Sequence, residues 1–204
     1  MIIREINKAL KRLQWFADGI KAQSGWYSEV GVLYPKITLQ MVNVAFDYGL
    51  VPFVLVDDGG ESAFEEVDKK WANNEPIPIW SGASDDTIWG SPLANWLFRV
   101  WHDSIHCKEG CWFGLDGEID AAVHHMEQAR KAGCPELAAV CWLEVAGQAS
   151  WHHANGGEDF PPQSYTRDAL DNMGLHRVGW RDIEGSDLKT YQATGELPFD
   201  GYTV

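Results

Sequence analysis

Six of the seven histidines in this chain lie between residues 102 and 153, on three successive helices predicted from the apolar spacing. His102 and His106 are four residues apart, so on a helix their rings project from the same face about one turn apart. Glu118 follows after eleven intervening residues, early in the next predicted helix. Imidazole and carboxylate groups are common ligands of divalent cations. The spacing therefore predicts a metal site with His102, His106 and Glu118 as ligands.

Asp103 and His125 are further candidates for this site. Asp103 lies three residues before His106, and it is either another ligand or the residue that orients an imidazole. His125 lies seven residues after Glu118, which is two helical turns, so both side chains lie on one helix face. His125 is therefore an additional metal-ligand candidate.

Glu144, Gln148 and His152 form a polar line at helical spacing on the third of these helices. Glu144 lies between two apolar residues, which makes an inward carboxylate plausible, and it is the candidate general base. His152 is a further metal-ligand candidate, and His125 and His152 are alternates for the base. A polar line is equally typical of the solvent-facing side of a helix, so both interpretations stay open.

Residues 102–118 have the sequence HDSIHCKEGCWFGLDGE, which is His-Asp-x-x-His followed by eleven residues and Glu. This string resembles the zinc-ligand motif of a helical protein family of ubiquinone (coenzyme Q) biosynthesis. The resemblance implies a metal site at His102, Asp103, His106 and Glu118. It also implies a role in processing a quinone ring at the position of a lost carboxyl group. It covers 17 of the 204 residues.

Two other metal-site architectures share part of this pattern. A ferritin-like di-iron site uses Glu-x-x-His on two helices, and Asp103-x-x-His106 imitates one half of it. The next two predicted helices carry no second copy, so this alternative is incomplete. An HD-type phosphohydrolase needs an earlier histidine, and none precedes His102.

Charge and composition exclude several classes of protein. The 204 residues include 16 basic and 30 acidic groups, giving a formal charge of −14, so nucleic-acid binding is not expected. No apolar stretch is long enough to span a membrane. Four cysteines in a chain of this length do not form a disulfide scaffold, and the first residues do not resemble a secretion signal. A cytoplasmic location is therefore predicted.

The periodicity predicts a mainly α fold, a compact helical bundle with at most a short β or extended segment. A single domain, 1–204, is expected, in which N-terminal helices within 1–90 pack on a metal-site core at 91–175, with a tail at 176–204. The first half is predicted to contain helices over residues 3–21, up to Gly49, and over 61–71. Between the last two lies an extended piece at 52–56, and 72–90 is predicted to be a loop.

The helices of the second half are predicted from their terminal residues. Ser91-Pro92 is a typical helix start, and the helix is expected to reach about Cys107. A second helix begins near Gly117. A third runs from Pro135 to about His153. A shorter fourth helix, capped by Thr166, is expected to end near residue 174.

These patterns predict a metal-dependent hydrolase or lyase with zinc, or iron as the alternative. Its site would activate water or polarise a small-molecule substrate for hydrolysis or decarboxylation. The competing prediction is a non-enzymatic protein. It could be an acidic interaction or inhibitor protein, or a module in which the metal is structural.

Overall fold

The computed structural model of the chain describes residues 33–57, 64–157 and 160–173. The predicted helix over 3–21 and the predicted tail at 176–204 lie outside these ranges. The elements, in chain order, are α1 (Leu33–Tyr48), β1 (Phe53–Val56), α2 (Phe64–Ala72), β2 (Ile77–Trp80), α3 (Pro92–Glu109), α4 (Leu115–Lys131), α5 (Pro135–Trp142), α6 (Gln148–Ala154) and α7 (Tyr165–Met173). A π-helical segment, Leu143–Gly147, joins α5 to α6. The mainly α fold class is confirmed.

Helix α3 carries two of the predicted ligands, and both of its ends have residues that suit a helix terminus. The Ser91 side chain accepts a hydrogen bond from a backbone N–H of the first turn at 3.2 Å, and Pro92 occupies a position that needs no donor. Gly110 has a φ of 74° and donates its N–H to the carbonyl oxygen of His106 at 3.0 Å. The helix therefore continues two residues beyond its predicted end, to Glu109.

The main hydrophobic core lies between α1, α3, α4 and α5. Helix α1 buries a stripe at helical spacing, and α3 contributes large side chains that are fully buried. Helices α4 and α5 face each other with buried alanines, which lets their backbones approach closely. The residues concerned are Ile37, Met41, Ala45, Leu97, Trp101, Ile105, Ala121, Ala122, Ala138 and Ala139. This core fixes the relative positions of the helices that bear the candidate ligands.

Strands β1 and β2 form a parallel two-stranded sheet in which Phe53 is paired with Ile77. The prediction of a loop over 72–90 is wrong, because β2 lies inside it. Pro76 and Pro78 suggested a loop, yet Pro78 is tolerated because β2 has only one neighbouring strand among the described residues. The buried side chains of β2 and α2 pack against α3 as a second, smaller cluster.

The long helix predicted from Pro135 to about His153 is present, but its helical register changes within the π-helical segment. The fourth predicted helix is α7. Thr166 lies at its second residue, fully buried, and its hydroxyl group bonds to Glu144. Thr166 is therefore a contact between α7 and the π-helical segment, and the predicted capping role is wrong.

Candidate metal centre

His102 and His106 meet on the inner face of α3. Their Nε2 atoms lie 3.0 Å apart, and their ring planes are nearly perpendicular, at 85°. His106 is completely buried, whereas the side chain of His102 retains 17% of its exposure. The four-residue spacing thus brings both nitrogens to one point at the edge of the core.

Glu118 reaches the same point from the first turn of α4. Its Oε2 atom lies 3.2 Å from His102 Nε2, and its Oε1 atom lies 3.5 Å from His106 Nε2. The ligand atoms of the three residues all lie within 4.8 Å of one another. The group could therefore hold a metal ion.

The connection between α3 and α4 fixes two of these side chains. The Nδ1 atom of His106 donates a hydrogen bond to the carbonyl oxygen of Cys111 at 2.9 Å. A Cβ atom on Gly117 would lie 2.0 Å from the backbone oxygen of Trp112. The connection therefore folds tightly onto the start of α4, immediately before Glu118. The Phe113 ring covers His106 at a centroid distance of 4.4 Å.

The charges of the cluster oppose the effect of burial. Burial by itself would raise the pKa of Glu118, but the two imidazoles hold it well below its usual value. Burial would lower the pKa of His102, but Glu118 and Asp103 raise it above the usual value. A carboxylate and a protonated imidazole therefore support each other here.

Asp103 is outside the group of converging ligand atoms. Its electrostatic partners are nevertheless those of the site. Burial raises the pKa of Asp103, and the charges of His102 and His106 oppose this rise. Asp103 thus adds an acidic group beside the two imidazoles.

His125 is completely buried next to His102, with its Nε2 atom 3.2 Å from the Nδ1 atom of His102. It is likewise outside the converging group. Burial and the neighbouring His102 hold its pKa well below the usual value, so the ring is neutral. Its position confirms that Glu118 and His125 lie on the same face of α4.

Glu144 lies on the π-helical segment, where the extra residue in the helical turn changes the direction of its side chain. Burial raises the pKa of Glu144 to about 7, and hydrogen bonds from Thr166 and Gln148 oppose this effect. Thr166 donates to Oε2 at 2.5 Å. Glu144 also interacts with the charges of Arg99 and His102, so it shares the electrostatic environment of the site.

His152 is placed differently from the other candidates. Its ring is half-buried on α6 and stacks on Phe160 at a centroid distance of 4.4 Å with an interplanar angle of 10°. It does not join the converging ligand atoms. The structure thus brings together His102, His106 and Glu118, with His125 beside them.

Arg99 and Thr166 are two contributors that the sequence analysis did not identify. Arg99 lies three residues before His102 on α3, and its guanidinium donates to the carbonyl oxygens of Trp80, Gly82 and Ala83. Its positive charge opposes the rise that burial causes in the pKa of Asp103 and of Glu144. Its position one turn before His102 was the only available signal.

Comparison with known proteins gives no match to any family profile, curated protein or solved structure. Within the described ranges, no helix has the length and apolar character that crossing a membrane requires. The function is therefore inferred from the geometry of the site.

Proposed function

We propose that this protein is a metal-dependent enzyme that binds zinc, or alternatively iron, through His102, His106 and Glu118. It would activate water or polarise a small-molecule substrate for hydrolysis or decarboxylation. The observation that carries the proposal is the convergence of two imidazole nitrogens and one carboxylate within 4.8 Å. Two histidines and one glutamate form a known ligand set of catalytic zinc sites, where three protein ligands leave one coordination position open.

The hydrogen bonds around the site support a cation there. The carbonyl oxygen of Cys111 can only accept, so His106 carries its proton on Nδ1 and presents a lone pair at Nε2. That lone pair faces His102 Nε2 at 3.0 Å and the Glu118 carboxylate at 3.5 Å. Acceptor atoms this close repel each other unless a proton or a cation lies between them.

We assign Glu144 to the reaction itself and Asp103 to the stabilisation of the cation. A divalent cation at the site lowers the pKa of water and polarises a substrate oxygen. Glu144 serves as the general base, because a carboxyl group with a pKa of about 7 exchanges protons readily near neutral pH. The charge of Asp103 favours a cation beside the imidazoles.

The resemblance of residues 102–118 to the ubiquinone-biosynthesis motif supports decarboxylation of a ring carboxylate over hydrolysis. The alternative is a protein in which the same cation is only structural. The exposure of His102 and Glu118, 17% and 20% of their side chains, supports the enzyme, because these two side chains lie at the edge of the core and are not sealed inside it. A structural zinc site is usually completed by a fourth protein ligand, whereas only three ligand atoms of the described residues converge here.

Elemental analysis of purified protein after loading with Zn²⁺ or Fe²⁺ tests the metal site. Wild type should retain about one metal ion per chain, as expected for one three-ligand site. Glu118→Gln keeps the side-chain volume but removes the charged ligand. Glu118→Gln and His106→Ala should each lose the metal. His153→Ala is the matched control, because His153 is exposed and is not among the converging ligands. Equal metal in all four proteins, or none in wild type, would contradict the proposal.

A second variant separates catalysis from metal binding. Glu144→Gln should retain the metal, because Glu144 is not among the converging ligands. It should lower the turnover of esters or aromatic carboxylic acids by about 100-fold or more, the usual effect of losing a general base. Unchanged turnover in Glu144→Gln would remove the role assigned to this residue.

A further inference from the structure

His102 and His125 form a buried imidazole pair with an unusual geometry. The Nδ1 atom of His102 and the Nε2 atom of His125 are 3.2 Å apart, and the ring planes differ by only 9°. The ring centroids are 5.5 Å apart, which is too far for face-to-face stacking and fits two rings placed end to end in one plane. The two nitrogens therefore face each other along the direction of an in-plane N–H···N hydrogen bond.

The direction of this hydrogen bond follows from the other contacts of His102. Its Nε2 atom faces Glu118 and His106, so Nε2 is the atom available to a cation. When Nε2 binds a cation, the imidazole proton resides on Nδ1 and points at His125. The Nε2 atom of His125 then accepts this hydrogen bond.

The surroundings of His125 hold it in that orientation. Its ring packs against the edge of Trp101 at 4.2 Å and against Phe98 at 5.4 Å, measured between centroids. Trp101 is itself held by a hydrogen bond from its indole nitrogen to Gln128 at 2.9 Å. The acceptor nitrogen is thus part of the rigid core.

The remaining nitrogen of His125, Nδ1, is buried and has no hydrogen-bond partner among the described residues. A buried polar atom without a partner is costly, by about 1–3 kcal/mol. An apolar residue at position 125 would avoid this cost, so the cost itself indicates a role for the other nitrogen.

We infer that His125 is a positioning residue for the metal site: its Nε2 atom accepts the Nδ1–H of His102 and thereby fixes the tautomer and the orientation of that ligand. This inference rests on the proposed metal site and assigns His125 a role outside the ligand set. His106 is oriented in the same manner by the backbone carbonyl of Cys111. Metal-binding histidines in general donate their second N–H to such an acceptor.

The neutral imidazole has a chemical consequence. A carboxylate acceptor in its place would add negative charge behind His102 and make the ligand more basic. An imidazole that accepts through its Nε2 lone pair adds no negative charge, so a cation held by His102 would remain a stronger electrophile. This is the property that a site polarising a substrate oxygen needs.

Zinc affinity, measured by competition with a chelator, tests the inference. His125→Phe keeps a planar ring but removes the acceptor, and it should weaken zinc binding by about 10- to 100-fold. His125→Gln restores an acceptor oxygen and should recover most of the affinity. His124→Phe, one residue earlier on α4, is the matched control and should bind zinc like wild type.

Two further measurements distinguish the possible failures. Nitrogen-15 NMR of the zinc-loaded protein should show the Nδ1–H tautomer of His102 in wild type and His125→Gln. X-ray absorption should count two imidazole ligands in wild type and in His125→Phe. A third imidazole in wild type would make His125 a ligand and overturn the inference. Wild-type affinity in His125→Phe would overturn it while leaving the proposed function intact, whereas a wild type that binds neither zinc nor iron would overturn both.

Discussion

The facing Nε2 atoms of His102 and His106, 3.0 Å apart, require a proton or a metal cation between them. Before a metal binds, a proton fills this role. Its holder is His102, because the negative charges of Glu118 and Asp103 raise the pKa of that imidazole despite its burial. Glu118 remains ionised opposite it. The metal-free site is therefore an ion pair, and metal binding displaces the proton.

Glu144 predicts a specific pH dependence of stability. Burial raises its pKa from 4.5 to about 7, so within this window the folded protein holds a proton that the unfolded chain has released. The free energy of unfolding therefore falls as the pH rises through the window, by about 3 kcal/mol in total. Glu144→Gln removes this loss. Its Tm should exceed that of wild type at about pH 8 and approach the wild-type value at about pH 4.

The control for this measurement is Glu75→Gln, since Glu75 is exposed in the loop before β2. Its Tm should follow the wild-type curve at every pH. A Glu144→Gln curve parallel to wild type from acid to alkaline pH would show that Glu144 titrates in the folded protein as it does in the unfolded chain.

The candidate ligands could be predicted from sequence because they depend on helical spacing alone. A spacing of four residues on α3 brings His102 beside His106. A spacing of seven residues on α4 puts His125 on the same helix face as Glu118. The burial of His125 and the bond between Thr166 and Glu144 depend on how separate helices pack. No local pattern carries that information.

The connection from α3 to α4 positions both His106 and Glu118 for the site. A Cβ atom on Gly117 would overlap the backbone of Trp112, at 2.0 Å from its oxygen and 2.5 Å from its nitrogen. Backbone atoms cannot move aside as a flexible side chain can. We expect Gly117→Ala to lower the free energy of unfolding by about 2 kcal/mol or more, measured by urea denaturation.

Gly114 offers the matched control for this substitution. Gly114 is the N-cap residue of α4 and has an extended φ of −171°. A Cβ atom at this position would have no atom within 4 Å apart from those of its neighbours in the chain. Gly114→Ala should change the free energy of unfolding by less than about 1 kcal/mol. Because Gly117 precedes Glu118, Gly117→Ala should also weaken metal binding. If Gly117→Ala and Gly114→Ala have equal free energies of unfolding, the backbone of the connection shifts to accommodate the added methyl group.

Thr166 links α7 to the π-helical segment through a buried hydrogen bond to Glu144. Thr166→Val keeps the shape and removes the donor, so we expect it to lose about 1–3 kcal/mol of stability. It should also raise the pKa of Glu144 further, since this hydrogen bond opposes the effect of burial. Carbon-13 NMR of the Glu144 carboxyl group measures that pKa, and thermal unfolding measures the stability.

Thr87→Val is the contrasting control. The Thr87 hydroxyl is buried without a hydrogen-bond partner among the described residues, so its removal should leave stability unchanged or increase it. If both valine variants lose the same stability, the bond between Thr166 and Glu144 has no special importance.

The helices were more predictable than the strands for a physical reason. Ser91, Pro92 and Gly110 encode the ends of α3 locally, through capping and a positive φ. Strand β2 has no such local signal, because Pro78 is compatible with a strand only when that strand has a free side. Strand β2 pairs with β1, whose residues lie 24 positions earlier in the chain, so the pairing is not visible in the local sequence.

At the scale of the whole molecule, the candidate metal site lies where the two ligand-bearing helices enter the main core. Helix α3 contributes buried residues to this core on both sides of His102, and α4 packs along α5 through buried alanines. A cation held jointly by α3 and α4 would therefore bridge two elements that already share one core. Its binding free energy would add to the stability of the whole unit rather than of one loop.

This coupling predicts that a chelator lowers the melting temperature. At a free metal concentration about 1,000 times the Kd, binding adds about 4 kcal/mol, which for a chain of this size raises Tm by about 10 °C. Differential scanning calorimetry with and without excess chelator should show this decrease in wild type and in His153→Ala. Glu118→Gln should melt at one temperature under both conditions, because it lacks the charged ligand of α4. If the Tm of metal-loaded wild type is the same with and without the chelator, the ion does not bridge α3 and α4.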